Sequence, residues 1–183
     1  MERSFEAVLV EQCATTLAGV KPASLFRYQA LTSGSPGRPR PAGPKKLAPY
    51  GITIRVLKYC PQTGACLIYL YRADGFGRIL SEPSTRLSGG AGVWGGSELS
   101  GAAETASRRR VPGAGIPHEI GVFLGYPLED VVGFIRNRGR NYTCCGYWKA
   151  YGDPEAAQKR FDQYRRCTAA CCEQFRKARP SRS

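Results

Sequence analysis

Two runs of strand-forming residues joined by a short turn constrain this chain's fold more than any other feature. Ile52-Thr53-Ile54-Arg55-Val56-Leu57-Lys58-Tyr59 is rich in β-branched side chains, and Cys66-Leu67-Ile68-Tyr69-Leu70-Tyr71 continues that preference. Between them Cys60-Pro61-Gln62-Thr63-Gly64-Ala65 carries the Pro and Gly of a hairpin connection, so the two runs are expected to pair antiparallel. A third strand is expected at 141–151, where Tyr142, Cys144, Gly146, Trp148 and Ala150 alternate.

A sheet this small needs covering, and the flanking sequence reads as helix. Residues 5–31 carry Phe5, Val8, Leu9, Leu17, Leu25 and Phe26 at helical spacings, with a break near Gly19 and a restart at Pro22. Leu128 to Asn137 opens after Pro127 with Glu129 and Asp130 in its first turn, where carboxylates suit the helix dipole, and Gly139 closes it. Gly152-Asp153-Pro154-Glu155 starts a last helix running to about Lys177, with Asp153 as cap and Pro154 at the first position. Its stripe of Ala157, Phe161, Tyr164, Thr168, Cys171 and Phe175 should face the sheet. Shorter helical stretches are expected at 76–86, 102–110 and 117–125. Residues 33–49 read as a Gly/Pro/Arg loop, 88–115 as an irregular Gly-rich segment and 178–183 as a flexible tail. The expected fold is α+β: one domain over residues 1–183, a small, largely antiparallel three-stranded sheet packed with helices, and a long C-terminal helix.

Composition narrows the setting. Of 183 residues 42% are hydrophobic and 22% charged, which excludes a wholly disordered or collagen-like chain. The longest unbroken apolar run, Ala65 to Tyr71, falls far short of the roughly 18 residues of a membrane span. Glu2 and Glu6 stand where a secretory leader would carry only basic residues, so a cytoplasmic protein is expected. Lysine and arginine number 27 against 14 acids, a formal charge of +13. Such a field attracts polyanions. The basic residues are spread over several loops and the last helix, however, so a solvated basic surface is read ahead of nucleic-acid or acidic-partner binding.

The residues able to carry chemistry are eight cysteines and one histidine. Cytosolic thiols stay reduced, which leaves core packing, metal ligation or nucleophilic use. Cys13 as nucleophile, His118 as base and Glu119 or Asp130 as orienting group would make a Cys–His hydrolase or transferase. The alternative for Cys13 is a small core residue on a helix. Cys144, Cys145, Cys167 and Cys171 are candidate ligands for a soft metal. Cys167 and Cys171 are four apart and share a helix face, whereas Cys144 and Cys145, adjacent on a strand, point to opposite faces. Zinc or iron would suit such a set. No C-x-x-C, no G-x-x-x-x-G-K-S/T and no G-x-G-x-x-G after a strand occurs, so ATP hydrolysis and dinucleotide use by those routes are not expected. Tyr142 and the 146–152 strand, interleaved with Arg138, Arg140 and Lys149, offer either a base-stacking surface or a packed sheet face.

Three segments occur in a telling order: Cys-Ala-Thr-Thr-Leu-Ala-Gly-Val-Lys-Pro-Ala-Ser-Leu-Phe (13–26), Pro-His-Glu-Ile-Gly-Val-Phe-Leu-Gly-Tyr-Pro-Leu-Glu-Asp-Val (117–131) and Cys-Cys-Gly-Tyr-Trp-Lys-Ala-Tyr-Gly-Asp (144–153). Together they resemble a bacterial family catalogued as domain of unknown function 3793, found mostly in anaerobic Firmicutes. The resemblance covers nearly the whole chain and fits least well over 89–115. It implies a single intracellular domain and carries over no activity, cofactor or catalytic residue. The function expected from the residues is a thiol- or metal-linked role in redox or iron handling. A Cys13–His118 hydrolase and a basic nucleic-acid or acidic-partner binding module are the alternatives.

Overall fold

The computed structural model describes residues 4–29, 47–74, 118 and 120–178. The chain divides into two compact units, one of residues 1–73 and 163–183 and the other of residues 74–162.

In the first unit, helix α1 (Phe5–Leu17) starts at Ser4, whose hydroxyl accepts the Ala7 N–H at 3.3 Å. It ends at Gly19 (φ 75), where the Gly19 N–H bonds to the Thr16 carbonyl and the Val20 N–H to the Thr15 carbonyl. Glycine makes this left-handed close without a Cβ clash. Strands β1 (Ala23–Gln29), β2 (Ile52–Cys60) and β3 (Ala65–Arg72) follow. They form one sheet in the order β1-β3-β2, with β3 antiparallel to both neighbours. The expected hairpin and three-stranded antiparallel sheet are therefore present, but the third strand is a different segment. Residues 23–29, read as helix from Leu25 and Phe26, are strand. Local spacing cannot report what decides this, namely pairing across the chain of Phe26 with Ile68 and Ser24 with Leu70.

Phe5, Leu9 and Cys13, one turn apart on α1, pack against Phe26, Ile52, Ile54, Cys66, Ile68 and Leu70. A register shift between Val56 and Lys58 inserts one extra residue in β2. The bulge turns the odd-numbered Tyr59 onto the same core as the even-numbered Ile54 and Val56.

The second unit contains α2 (Ile120–Phe123), α3 (Leu128–Arg136), β4 (Cys144–Cys145), β5 (Lys149–Ala150) and the first turns of α4 (Pro154–Ala178). The strand expected at 141–151 is instead a small hairpin: β4 and β5 pair with each other in a two-stranded sheet of their own. Gly146 lies in its turn because a Cβ there would stand 2.5 Å from the Phe161 ring. Trp148 is buried edge-on against Phe161 (ring centroids 4.6 Å) and stacked on Tyr126 (5.1 Å). The α4 start is as expected, with Asp153 Oδ1 accepting the Glu155 N–H at 2.9 Å. Of its expected stripe, Ala157, Phe161 and Tyr164 are buried.

The helices expected at 76–86 and 102–110, the segment 88–115, residues 33–46 of the loop, the tail from residue 179 and Glu119 lie outside the described residues. The end of the loop forms a 3-10 turn at Ala48–Tyr50. Among the described residues no helix is long and apolar enough to cross a membrane.

Candidate functional site

The C-terminal end of α1 gathers thiols and polar side chains. Thr16 Oγ1 and Ser24 Oγ, both buried, are 2.8 Å apart and hydrogen-bonded. Cys13, three residues before Thr16 on α1, is 0% exposed. Burial pushes the Cys13 thiol up to about 12, with the polar Ser24 side chain and the Lys21 charge only partly offsetting it. Burial acts on Lys21 in the opposite sense, pushing its ammonium down to about 8 while Cys13 holds it up slightly. The Lys21 Nζ stands 6.0 Å from the centroid of the Tyr164 ring.

One residue further along α1, the Ala14 carbonyl accepts the Ala18 N–H at 2.9 Å. The same oxygen accepts from two thiols of α4, Cys167 at 3.8 Å and Cys171 at 4.0 Å. A spacing of four puts both on one face of the helix. Burial, then the Cys171 neighbour, raises the Cys167 thiol above its ordinary value. The negative end of the α1 dipole adds to that preference for the neutral form. The arrangement is a poor nucleophile. It does hold two soft donors together on a rigid helix.

In the second unit, Asp130 is 4% exposed and fully engaged. Its Oδ2 accepts the Trp148 indole N–H at 2.6 Å, and its Oδ1 accepts the backbone N–H of Tyr151 at 2.6 Å and of Gly152 at 3.1 Å. The carboxylate is therefore the clamp between α3 and the β5 end of the hairpin. Gly133 makes room for the same junction, since a Cβ there would meet the Tyr151 ring at 2.4 Å. His118 is exposed, its carbonyl accepting the Gly121 N–H and its ring edge-on to Phe134 with centroids 4.9 Å apart. Cys144 is half-buried, 4.0 Å from Gln158 Oε1, and Cys145 is exposed, as strand alternation requires.

Of the candidate residues, the structure thus brings Cys167 and Cys171 together, while Cys13 belongs to the core of the same unit. His118, Cys144 and Cys145 belong to the other unit. Among the described residues no three His, Cys, Asp or Glu side chains are grouped so as to hold a metal ion. Lys21, Ser24 and Asp130's clamp are absent from the sequence reading. For Lys21 the only signal is a charged residue set two positions behind a helix-ending glycine.

These placements order the eight thiols by reactivity. Cys145, exposed, and Cys60, whose thiol Thr63 holds below its ordinary value through side-chain and backbone hydrogen bonds, should react first with a disulfide reagent. Cys13 should remain silent until the protein unfolds, because a value of about 12 against 9.0 lowers its thiolate fraction by roughly a thousandfold. Mass-mapped labelling in native buffer and in denaturant checks the order. Rapid native labelling of Cys13 would contradict it.

A family model described as "Protein of unknown function (DUF3793)" matches residues 9–183. No curated protein and no solved structure matches the chain.

Proposed function

The chain belongs to the DUF3793 family, and we propose for it a thiol-linked function in which Cys167 and Cys171 bind a soft, thiophilic metal ion. One observation carries this reading: two thiols four residues apart on α4 converge on a single carbonyl oxygen. Soft thiolate donors select soft ions, and a d¹⁰ ion such as Cu(I) accepts two sulfurs where zinc asks for four ligands. Entry of the ion displaces the two thiol protons, so the cost of deprotonation is repaid only by a strongly thiophilic partner. The bound ion would sit where the two thiols now donate to Ala14.

Cys13 does not support the hydrolase reading in the same way. It is enclosed by core side chains, and its thiol, pushed up to about 12, stays protonated near neutrality. Asp130, which could have served as an orienting group, is occupied by Trp148, Tyr151 and Gly152.

Titration of the reduced protein with Cu(I) under anaerobic conditions, in competition with a chromogenic Cu(I) chelator, tests the reading. One equivalent should bind tightly, and Cys167→Ser and Cys171→Ser should each weaken it at least tenfold. Equal affinity in the wild type and both variants would overturn the proposal.

A further inference from the structure

The sequence from Val131 to Gly152 carries Arg136, Arg138, Arg140 and Lys149 and no aspartate or glutamate. In the structure these residues do not disperse. The end of α3 and the chain that follows are wound tightly by three left-handed residues, Arg138 (φ 50), Gly139 (φ 72) and Asn141 (φ 57). The Arg138 N–H closes onto the Ile135 carbonyl and the Gly139 N–H onto the Phe134 carbonyl. Lys149 Nζ then donates to the Gly139 carbonyl at 2.7 Å and ties the loop to β5. A loop fixed in this way presents its side chains without a large ordering cost on binding.

Arg136, Arg138 and Arg140 are all exposed, and among the described residues none of them has a carboxylate partner. Beside them Tyr142 remains 45% exposed, with the Lys149 ammonium 4.9 Å from its ring centroid. Tyr147, in the β4–β5 turn, is 41% exposed. Unpaired guanidinium groups suit phosphate oxygens, and exposed rings suit the faces of unpaired bases. A duplex hides those faces, and a lipid headgroup has none. We infer that the 136–149 surface binds single-stranded nucleic acid, with the three arginines on phosphates and Tyr142 stacked on a base.

The test is fluorescence anisotropy with labelled uridine and deoxythymidine oligonucleotides, and the intact protein, at two salt concentrations. Binding should weaken steeply with salt. In Arg138→Gln/Arg140→Gln the slope of log affinity against log salt should flatten by about 1.4, at about 0.7 for each phosphate contact on a single strand. Tyr142→Ala leaves the net charge of +13 unchanged, yet should weaken binding by roughly 5- to 100-fold, with Tyr142→Phe close to wild type. Helical circular dichroism confirms that each variant is folded. Wild-type binding that neither the arginine pair nor Tyr142→Ala alters would overturn the inference. So would no binding at low salt, or equal affinity for a duplex or for anionic vesicles.

Discussion

Replacing Asp130 with alanine is expected to remove roughly 3–5 kcal/mol from the unfolding free energy, the scale for leaving partners of a buried charged group unmatched. The carboxylate satisfies the Trp148 indole and the backbone N–H groups of Tyr151 and Gly152 in a setting that is 4% exposed. Alanine would strand all of these donors and free the hairpin from α3. Asp130→Asn keeps a carbonyl acceptor but turns an N–H₂ toward donors, and should lose about half as much. Urea unfolding followed by tryptophan fluorescence measures both losses. A loss under about 1 kcal/mol for the alanine variant would show that the clamp is not structural.

Lys21 should make stability depend on pH in the alkaline range. Its ammonium titrates near 8 when folded and near 10.5 when not. Between these values the unfolded chain holds a proton that the folded chain has released, so stability rises with pH. Cys13 opposes this from 9.0 upward, where the unfolded thiol ionises and the folded one, at about 12, does not. The wild type should therefore gain stability from about pH 8 to 9, level off, and lose it above about 10.5. Lys21→Met should be the more stable protein near pH 7, and its advantage should shrink by roughly 3 kcal/mol by about pH 10.5. Denaturant midpoints of both proteins across that range check the prediction, and a difference that does not move with pH would refute it.

What the sequence makes legible follows from the range of the interactions involved. The β2–β3 hairpin, the Asp153 cap of α4 and the glycine that ends α1 are all decided within a few residues, and each is found where local chemistry places it. Strand β1 is decided by partners some forty residues away, so Leu25 and Phe26 mislead. The 141–151 alternation is real, yet Gly146 against Phe161 and the Asp130 clamp fold it back on itself as a hairpin. At the candidate site, the helical spacing of Cys167 and Cys171 predicts their shared face. Their convergence on Ala14, more than 150 residues earlier, is a tertiary fact that no spacing contains. Burial of Cys13 agrees with the core alternative read from its place on a helix.

The most direct measurement of the thiol-linked account is X-ray absorption at the copper edge of anaerobically Cu(I)-loaded protein. Two sulfur neighbours per copper are expected, with the signal lost in the Cys167→Ser/Cys171→Ser double variant. Copper bound through nitrogen or oxygen, or sulfur coordination that survives the double substitution, would contradict it.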